Sequence, residues 1–425
     1  MIVNVKRLCV IGLGYIGLPT ASTFAVHGLE VVGMDNNPSI IQKLQSGEIH
    51  IFEPGLREQV TEAIASGKLQ ISPTVVPADV FIIAVPTPIL EDKKADMHFV
   101  ISAAESIVPH LRSGNLVILE STSPPCTTVE LVAPILERSG LRAGTDFKLA
   151  YSPERVLPGK ILHELINNSR VIGGIDQASA IAGSELYKHF VKGEIILTDA
   201  TTAEMVKLME NTSRDISIAT ANEFCRLADK FGVDVWEAID IANLHPRVNI
   251  LKPGIGVGGH CISVDPWFLV EAAPQESPLV LTARQVNDSQ PEFVYKVIER
   301  TYVNLKAMKI AYLGLAFKPD VDDLRESPAV ELAKLLINNG ADLVAHEPFK
   351  LDANLPGIPH NSNLDLLLKD ADLIVLAVAH QQFKTLDPKI IATISPATQV
   401  FDAVNGWDKN SWESAGFIYT GLSKK

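Results

Sequence analysis

The stretch that decides the fold is Leu8-Cys-Val-Ile-Gly12-Leu-Gly14-Tyr-Ile-Gly17. Its four apolar residues predict a short buried strand, and the glycines then lead into a helical pattern from about Ile16 to His27. A second apolar strand, Val31–Asp35, follows this helix. The order strand, glycine turn, helix, strand predicts the start of a doubly wound parallel sheet.

Each glycine of the turn has a separate steric role. Gly12 permits the tight turn, Gly14 lets the backbone approach a pyrophosphate, and Gly17 allows the helix to pack closely on the strand. The helix start supplies free N–H groups and partial positive charge. Asp35 ends the second strand, where a carboxylate accepts ribose hydroxyls and repels a 2′-phosphate. A glycine-rich turn without a ligand is the alternative, but the combination favours a dinucleotide site for NAD rather than NADP.

The alternation of strands and helices occurs twice along the chain. After the first segment, strands are predicted at Val80–Val85 and Leu116–Leu119, and the alternation resumes at Lys309–Phe317, Leu343–His346, Leu373–Ala379 and Gln399–Val404. Between them, Thr201–Phe231 contains neither Gly nor Pro and predicts one long helix, and Pro278–Met308 has another long helical pattern. We therefore predict an α/β protein with two Rossmann-like, doubly wound parallel-sheet domains (1–198 and 306–425) joined by a helical central domain (199–305).

Composition limits the classes of partner. The 425 residues include 37 Lys and Arg against 50 Asp and Glu, and the net charge of -13 disfavours nucleic acid and acidic membranes. The four cysteines are scattered without metal-ligand spacing, no apolar run reaches the roughly 18 residues of a membrane span, and the first residues do not resemble a signal peptide. We expect a cytoplasmic protein without a bound metal.

Candidate reactive side chains lie in the predicted central region. Lys207, Asn211 and Arg214 follow one another at i, i+4 and i+7, which places them on one face of the predicted long helix. A solvated polar face is the alternative. The glycine-dense loop Gly254–Gly259 then ends at Cys261, shortly before a predicted helix start, where a thiolate is favoured. Cys261 is thus a candidate nucleophile, with a buried structural cysteine as the alternative.

Taken together, these motifs resemble the UDP-sugar and GDP-sugar 6-dehydrogenase family over nearly the whole chain. The motifs that carry the resemblance are Gly12–Gly17, Val85–Pro88, Glu120–Thr122, Pro153–Arg155, Glu204–Asn211, Gly258–Asp265 and Phe317–Ser327. The resemblance implies an NAD-dependent, four-electron oxidation of the primary alcohol of a nucleotide sugar to a carboxylate. The stretch His245–Phe268 looks most like members that oxidise UDP-N-acetyl-D-mannosamine, with UDP-N-acetylglucosamine or UDP-glucose as alternative substrates.

The resemblance also implies catalytic roles. Cys261 would form a thiohemiacetal and then a thioester with the substrate, Lys207 would assist proton transfer and charge stabilisation, and Asn211 would donate to the developing oxyanion. Asp265 and Glu154 would organise the hydrolytic water, and Thr122 would hold water and cofactor. For these last three residues, a role in a turn or a cap is the alternative.

Binding roles follow from the same resemblance. The implied cofactor contacts are Gly12, Gly14, Tyr15, Ile16, Gly17, Asp35, Thr87, Thr122 and Arg325. The implied contacts to the UDP-sugar substrate are Arg155, Val156, Lys207, Asn211, Arg214, His245, Arg247, Gly258, Phe317 and Lys318. Arg325 precedes Ser327-Pro328, a good helix cap, and the active site would lie between the two α/β halves. We also expect a homodimer in which Arg247 reaches the neighbouring subunit's substrate.

Two positions depart from the family's pattern. Val404 stands where a basic residue that contacts substrate is frequent, and Cys126 lies where the loop often has a glycine. Cys126 is therefore a rival thiol to Cys261. A two-electron hydroxyacid dehydrogenase and a nucleotide-sugar-binding regulator without catalysis are the competing functions, and neither accounts for Cys261 in its glycine loop.

Overall fold

The computed structural model describes residues 5–51, 53–302 and 304–423. Its strands are β1 Arg7–Ile11, β2 Glu30–Met34, β3 Leu69–Ser72, β4 Val80–Ile83, β5 Leu116–Leu119, β6 Lys148–Tyr151, β7 Arg170–Gly174, β8 Ile195–Asp199, β9 Lys309–Leu313, β10 Asp342–His346, β11 Leu373–Leu376, β12 Gln399–Asp402 and β13 Ile418–Gly421. Its helices are α1 Gly17–Val26, α2 Pro38–Gln45, α3 Leu56–Ala65, α4 His98–Ile107, α5 Ala133–Glu137, α6 Ile161–Asn167, α7 Gln177–Tyr187, α8 Ala200–Phe231, α9 Val235–Ala242, α10 Asp265–Ala272, α11 Pro278–Asp288, α12 Gln290–Thr301, α13 Pro328–Asn338, α14 Leu364–Leu368, α15 Gln381–Lys384, α16 Pro388–Ile394 and α17 Lys409–Ser414.

The first sheet has eight strands in the order β3-β2-β1-β4-β5-β6-β7-β8. Its neighbouring strands are parallel except for the antiparallel pair β6 and β7. Strands β4 and β5 are wholly apolar and completely buried, because helices cover both faces of the sheet. Parallel strands place their carboxyl ends at one edge, where the loops after β1, β2, β4 and β5 meet.

The second sheet has five parallel strands in the order β10-β9-β11-β12-β13. Its first strand in sequence, β9, lies between β10 and β11, just as β1 lies between β2 and β4 in the first sheet. The predicted fold class, two doubly wound sheets with a long helix between them in sequence, is confirmed.

The described chain divides into two compact units. One comprises residues 1–210 and 267–274, and the other comprises residues 211–266 and 275–425. The long helix α8 contributes to both units, and its observed bounds confirm the predicted helix over Thr201–Phe231. The three-domain division stays a prediction.

Several predicted elements end earlier than their sequence patterns: β4 stops at Ile83, β11 at Leu376 and β12 at Asp402, and for two further elements the cause is a single residue. The helical pattern over Pro278–Met308 is divided at Ser289 into α11 and α12, because Pro291 has no N–H to continue the helical hydrogen bonds. Strand β9 stops at Leu313 rather than Phe317, because Gly314 has φ +97° and turns the chain.

Candidate functional site

The glycine turn after β1 has the shape of a phosphate cradle. Gly12 has φ +91°, and a Cβ added to it would lie 2.6 Å from the Ala84 carbonyl oxygen. A Cβ on Gly17 would lie 1.8 Å from the Gly12 oxygen, so the third glycine is required for close packing. A Cβ on Gly14 would meet nothing within 4 Å, which leaves open space beside the backbone. Helix α1 begins at Gly17, and its start faces this turn, so the turn fits a pyrophosphate.

Asp35 is held in place at the end of β2. Its Oδ2 accepts the Leu13 N–H at 2.9 Å and its Oδ1 accepts the Asn37 N–H at 2.9 Å. Each oxygen keeps a further lone pair for a ribose hydroxyl. Thr87 and Thr122 follow β4 and β5, and therefore lie at the same edge of the sheet. The residues present thus fit NAD, which Gly12–Gly17 and Asp35 would hold.

The corresponding acid in the second sheet is Glu347, just after β10. It accepts the N–H groups of Leu315 and Ala316 at 2.8 and 2.9 Å, which is how Asp35 contacts the loop after β1. Unlike Asp35, Glu347 is fully buried, and its Oε2 lies 3.1 Å from His380 Nε2. In both sheets an acid after a strand accepts backbone N–H groups of the loop after the neighbouring strand. Glu347, however, is buried and cannot contact a ribose.

Glu154 belongs to a buried ionic cluster in the first unit. Its Oε2 lies 3.3 Å from Arg170 Nη1, and its Oε1 accepts the Arg155 N–H at 2.6 Å. The other end of the Arg170 guanidinium lies 2.5 Å from Glu120, which also accepts the Tyr187 hydroxyl. Burial, with the charge of Glu154, raises the pKa of Glu120 to about 7 against the opposing effect of Arg170. Two carboxylates thus share one guanidinium.

The neighbouring substrate candidates have other contacts. The Arg155 guanidinium pairs with Glu210 at 2.5 and 3.0 Å and is half-buried. Val156 packs against the apolar core of the first sheet.

On helix α8, the three candidates differ in exposure. Lys207 is 9% exposed, Asn211 is half-buried and Arg214 is exposed. The Asn211 amide donates to Asp265 Oδ2 at 2.5 Å. A fully solvated polar face therefore does not describe this side of the helix, and the structure brings Asn211 and Asp265 together.

The glycine loop that presents Cys261 is fixed at both ends. At its start, the Gly254 N–H donates to Asn222 and the Gly254 oxygen accepts from Gln290, both at 3.0 Å. At its end, a Cβ on Gly258 would lie 2.4 Å from the Glu326 carbonyl oxygen, and the Gly259 N–H donates to the Arg325 oxygen at 3.1 Å. The loop is therefore packed tightly rather than freely mobile.

Cys261 lies at the entrance to α10. Its carbonyl oxygen accepts the Asp265 N–H at 2.8 Å, which starts the helical hydrogen-bonding pattern. The residue is half-buried, so part of its side chain is accessible from solvent.

All four cysteines lie in the described residues and are free thiols, but they differ in exposure to solvent. Burial raises the pKa of Cys9 and of Cys225 to about 11, so both are poor nucleophiles at neutral pH. Cys126 is half-buried, and its φ of +73° lies in the left-handed region that favours glycine. Its N–H donates to Glu204 at 2.7 Å. Cys126 and Cys261 are the two accessible thiols.

A charged cluster that the sequence patterns did not indicate adjoins Cys261. The Arg325 Nε and Nη2 atoms lie 2.8 and 2.6 Å from the two oxygens of Asp323, and Nη2 lies 3.0 Å from His260 Nδ1. Arg325, a predicted cofactor contact, is thus paired within its own unit. The only sequence signal for His260 was its position next to Cys261.

The remaining substrate candidates lie in loops of the second unit. Phe317 and Lys318 are half-buried after β9, and His245 and Arg247 are exposed in the turn after α9.

Two further predictions concern loops near the second sheet. The predicted cap is confirmed, since Ser327 accepts the Ala329 N–H at the start of α13. Val404, which departs from the family's pattern, packs against the apolar core, and Asn405 next to it has φ +52°.

The described residues contain no group of three or more His, Cys, Asp or Glu side chains that could hold a metal ion. Over the same residues, no helix combines the length and the apolar character needed to cross a membrane.

A glycine turn at a helix start, with an acid at the end of the next strand of a doubly wound sheet, is typical of a dinucleotide-binding protein. Three family models agree: the NAD binding domain of the UDP-glucose/GDP-mannose dehydrogenase family matches residues 6–191, its central domain matches residues 201–289 and its UDP binding domain matches residues 311–409. The chain belongs to the UDP-glucose/GDP-mannose dehydrogenase family. It is an oxidoreductase with NAD as its cofactor.

Individual relatives are similar over nearly their full length. The chain is 46% identical over 423 residues to a UDP-N-acetyl-D-mannosamine dehydrogenase of Methanococcus maripaludis, covering 97% of this chain and 96% of that protein. It is 47% identical over 399 residues to the Escherichia coli protein of the same name, covering 89% and 95%. The solved UDP-D-ManNAc dehydrogenase from Pyrococcus horikoshii superposes with a TM-score of 0.89 at 41% identity, covering 98% of this chain and 99% of that one.

Proposed function

We propose that this protein oxidises the C6 alcohol of UDP-N-acetyl-D-mannosamine to the carboxylate, with two NAD reduced and one water consumed per substrate. The observation that supports this substrate is similarity of 41–47% identity to UDP-N-acetyl-D-mannosamine dehydrogenases over most of the chain. A protein named NDP-N-acetyl-D-galactosaminuronic acid dehydrogenase, 46% identical over 395 residues, supports an acetamido sugar of different configuration as the second candidate.

The chain's residues supply the chemistry that the cofactor does not. Bound NAD would accept one hydride in each of the two oxidation steps. In the first step, Lys207, which is 9% exposed, would assist removal of the alcohol proton. The Cys261 thiolate would then add to the aldehyde carbon, forming a carbon–sulfur bond and an oxyanion that gives this carbon a hydride to lose.

The resulting thioester is opened by water. Asp265 is 3% exposed and is oriented by the Asn211 amide, so it is suited to hold a water rather than to act as a solvated surface charge. Glu154, fixed by Arg170, is the second carboxylate proposed for this step, and Thr122 would hold water and cofactor. Attack of water breaks the carbon–sulfur bond, releases the acid and returns Cys261.

A comparison of two cysteine variants tests the mechanism. Cys261→Ala should bind NAD and substrate but form no acid, because neither ligand needs the sulfur for binding. Cys126→Gly is the matched control, since it removes the other accessible thiol at a position whose backbone already suits glycine. If Cys261→Ala still yields two NADH per substrate at a near-normal rate, the nucleophile lies elsewhere.

The substrate is tested with a panel of nucleotide sugars. UDP-N-acetylmannosamine should give the highest kcat/KM among UDP-N-acetylglucosamine, UDP-N-acetylgalactosamine, UDP-glucose and GDP-mannose. A clear preference for UDP-glucose or GDP-mannose would contradict the substrate while leaving the mechanism intact.

The homodimer is also proposed, from the apolar surface of α8 and α11. Phe224 and Leu227 are 41% and 45% exposed on α8, and Leu279 is 64% exposed on α11. A groove between these helices is lined by Ile216, Ala219 and Val286, among others. Such a patch is typical of a subunit interface. The cytoplasmic location and the reach of Arg247 into the neighbouring subunit stay predictions.

Light scattering tests the dimer. Phe224→Arg should give a monomer, whereas Ile390→Arg, which changes an apolar side chain 57% exposed on α16, should not. An active wild-type monomer at assay concentration would overturn both the dimer and the role of Arg247.

A further inference from the structure

A short segment of the second unit contains two of the implied substrate contacts. Residues 315–320 follow β9 and include Phe317 and Lys318, both of which are half-buried. The Phe317 ring also packs against the loop that ends at Cys261, since a Cβ on Gly259 would lie 2.8 Å from that ring. The position of the 315–320 segment therefore affects both the substrate contacts and the loop that presents the proposed nucleophile.

Glu347 holds the start of the 315–320 segment. Its side chain is fully buried, and its Oε2 atom accepts the Leu315 N–H at 2.8 Å and the Ala316 N–H at 2.9 Å. Burial alone would raise the pKa of Glu347, but hydrogen bonds from His380 and from the Leu315 N–H lower it below its ordinary value. The start of the segment is thus bound to a buried, ionised carboxylate.

His380 holds the end of the same segment. Its Nδ1 accepts the Asp320 N–H at 2.9 Å, so this nitrogen carries no proton. The ring proton is therefore on Nε2, which donates to Glu347 Oε2 at 3.1 Å. The contact is reciprocal, because Asp320 Oδ1 accepts the Gln381 N–H at 2.8 Å. One imidazole, fully buried, thus links the two ends of the segment.

The backbone at Asp320 needs this support. Its φ of +60° lies in the left-handed region, which is uncommon for a residue other than glycine. Such a conformation persists only where the surrounding contacts hold it. Both the N–H and the side chain of Asp320 make these contacts, with His380 and with the first residue of α15. The end of the segment is therefore fixed by tertiary contacts rather than by local preference.

We propose that Glu347 and His380 are positioning residues that hold the two ends of the 315–320 segment, and so orient Phe317 and Lys318 for the nucleotide sugar. Both side chains are fully buried, so they act through the backbone of the segment and touch no ligand. This inference rests on the proposed function, because it takes Phe317 and Lys318 as substrate contacts.

Two replacements of His380 separate its two hydrogen bonds. The amide oxygen of Asn takes the place of Nδ1 and can still accept the Asp320 N–H, whereas the amide nitrogen of Gln takes the place of Nε2 and keeps only the bond to Glu347. His380→Gln should therefore release Asp320, and His380→Asn should retain it. Tyr302→Phe is the control for lost stability, since its buried hydroxyl contacts Thr420 rather than the segment.

Glu347→Gln tests the start of the segment. Both carboxylate oxygens accept backbone N–H groups, because Oε1 accepts the Phe349 N–H at 3.1 Å. An amide nitrogen at either position would face an N–H donor and lose that hydrogen bond. The contacts at Leu315 and Ala316 should weaken as a result.

The first assay is binding of the nucleotide sugar, measured by calorimetry without NAD so that no turnover occurs. The ligand is the sugar with the highest kcat/KM in the substrate panel. His380→Gln and Glu347→Gln should bind it about tenfold more weakly, and His380→Asn and Tyr302→Phe should stay within about threefold of wild type. In turnover, KM for the sugar should rise in the first two variants, whereas KM for NAD should not.

Hydrogen exchange followed by mass spectrometry tests the hold on the segment directly. In the ligand-free protein, the peptide that covers residues 315–320 should exchange faster in His380→Gln and Glu347→Gln than in wild type and His380→Asn. Circular dichroism shows whether each variant is folded. If a buried variant is not, Asp320→Ala replaces it, because this side chain is 49% exposed and the change removes the contact with Gln381.

Unchanged exchange of this peptide, with sugar binding like that of wild type, in folded His380→Gln and Asp320→Ala would overturn the proposal. Unchanged sugar binding in Lys318→Ala would also overturn it, because the held segment would then not contact the sugar. Neither assay needs NAD, the Cys261 thiol or acid formation, and the substrate panel selects the ligand. The positioning role and the proposed reaction can therefore fail separately.

Discussion

Gly258→Ala is the most direct test of how the loop positions Cys261. The added Cβ would lie 2.4 Å from the Glu326 carbonyl oxygen and 2.7 Å from Pro328 Cδ, whereas ordinary contacts begin at 3.4 Å. A separation of about 1 Å is therefore needed. The Glu326 carbonyl cannot yield easily, because Glu326 has φ +47° and is followed by the cap and first turn of α13. The glycine loop must move instead, and Cys261 moves with it.

The expected effects on stability and on rate differ in size. Overpacking of this kind costs about 1–3 kcal/mol of unfolding free energy. A displacement of about 1 Å at a reacting group lowers the rate by about 100-fold. Gly258→Ala should therefore stay folded at assay temperature but lose most of its kcat.

The assay is steady-state NADH formation with UDP-N-acetylmannosamine, together with a thermal melt. Gly254→Ala is the control in the same loop, because a Cβ there meets nothing within 4 Å and the hydrogen bonds at Gly254 are made by its backbone. We expect it to stay within twofold of wild type. If Gly258→Ala also does so, tight packing of the loop does not position Cys261.

Three further predictions each concern the substitution of a single residue. Glu120 has a folded-state pKa of about 7, above its ordinary 4.5, so the folded protein retains a proton that the unfolded chain releases between these values. Urea unfolding should show stability falling by up to about 3 kcal/mol as pH rises through this window, and less in Glu120→Gln. Ser327→Ala removes the cap of α13 and should cost about 1 kcal/mol in the same assay, and an unchanged midpoint would contradict the cap. Asp35→Asn should raise the ratio of kcat/KM for NADP over NAD by about tenfold, since it removes the charge that repels a 2′-phosphate, and an unchanged ratio would contradict that role.

Much of the fold follows from local sequence patterns. The apolar run before Gly12, the acid at Asp35 and the Gly- and Pro-free stretch of α8 each depend on neighbours a few residues away, so their periodicity predicts them. The short strands β3, β6, β7, β8 and β13 have weak patterns of their own and are recognisable only from their partners in the sheet. The break at Ser289 lies within a stretch whose pattern is otherwise helical, and Pro291 is its only local sequence signal.

For the candidate site too, local sequence predicts one part and the tertiary structure determines the other. The sequence by itself determined the residue types that carry the chemistry: the glycine turn, Asp35, and Cys261 before a helix start. Only the tertiary structure decided which side chains surround them. Asp323 lies 63 positions after His260, the neighbour of Cys261, and Arg170 lies 50 positions after Glu120 and 16 after Glu154. Contacts at such separations arise from packing of whole elements, and no local periodicity encodes them.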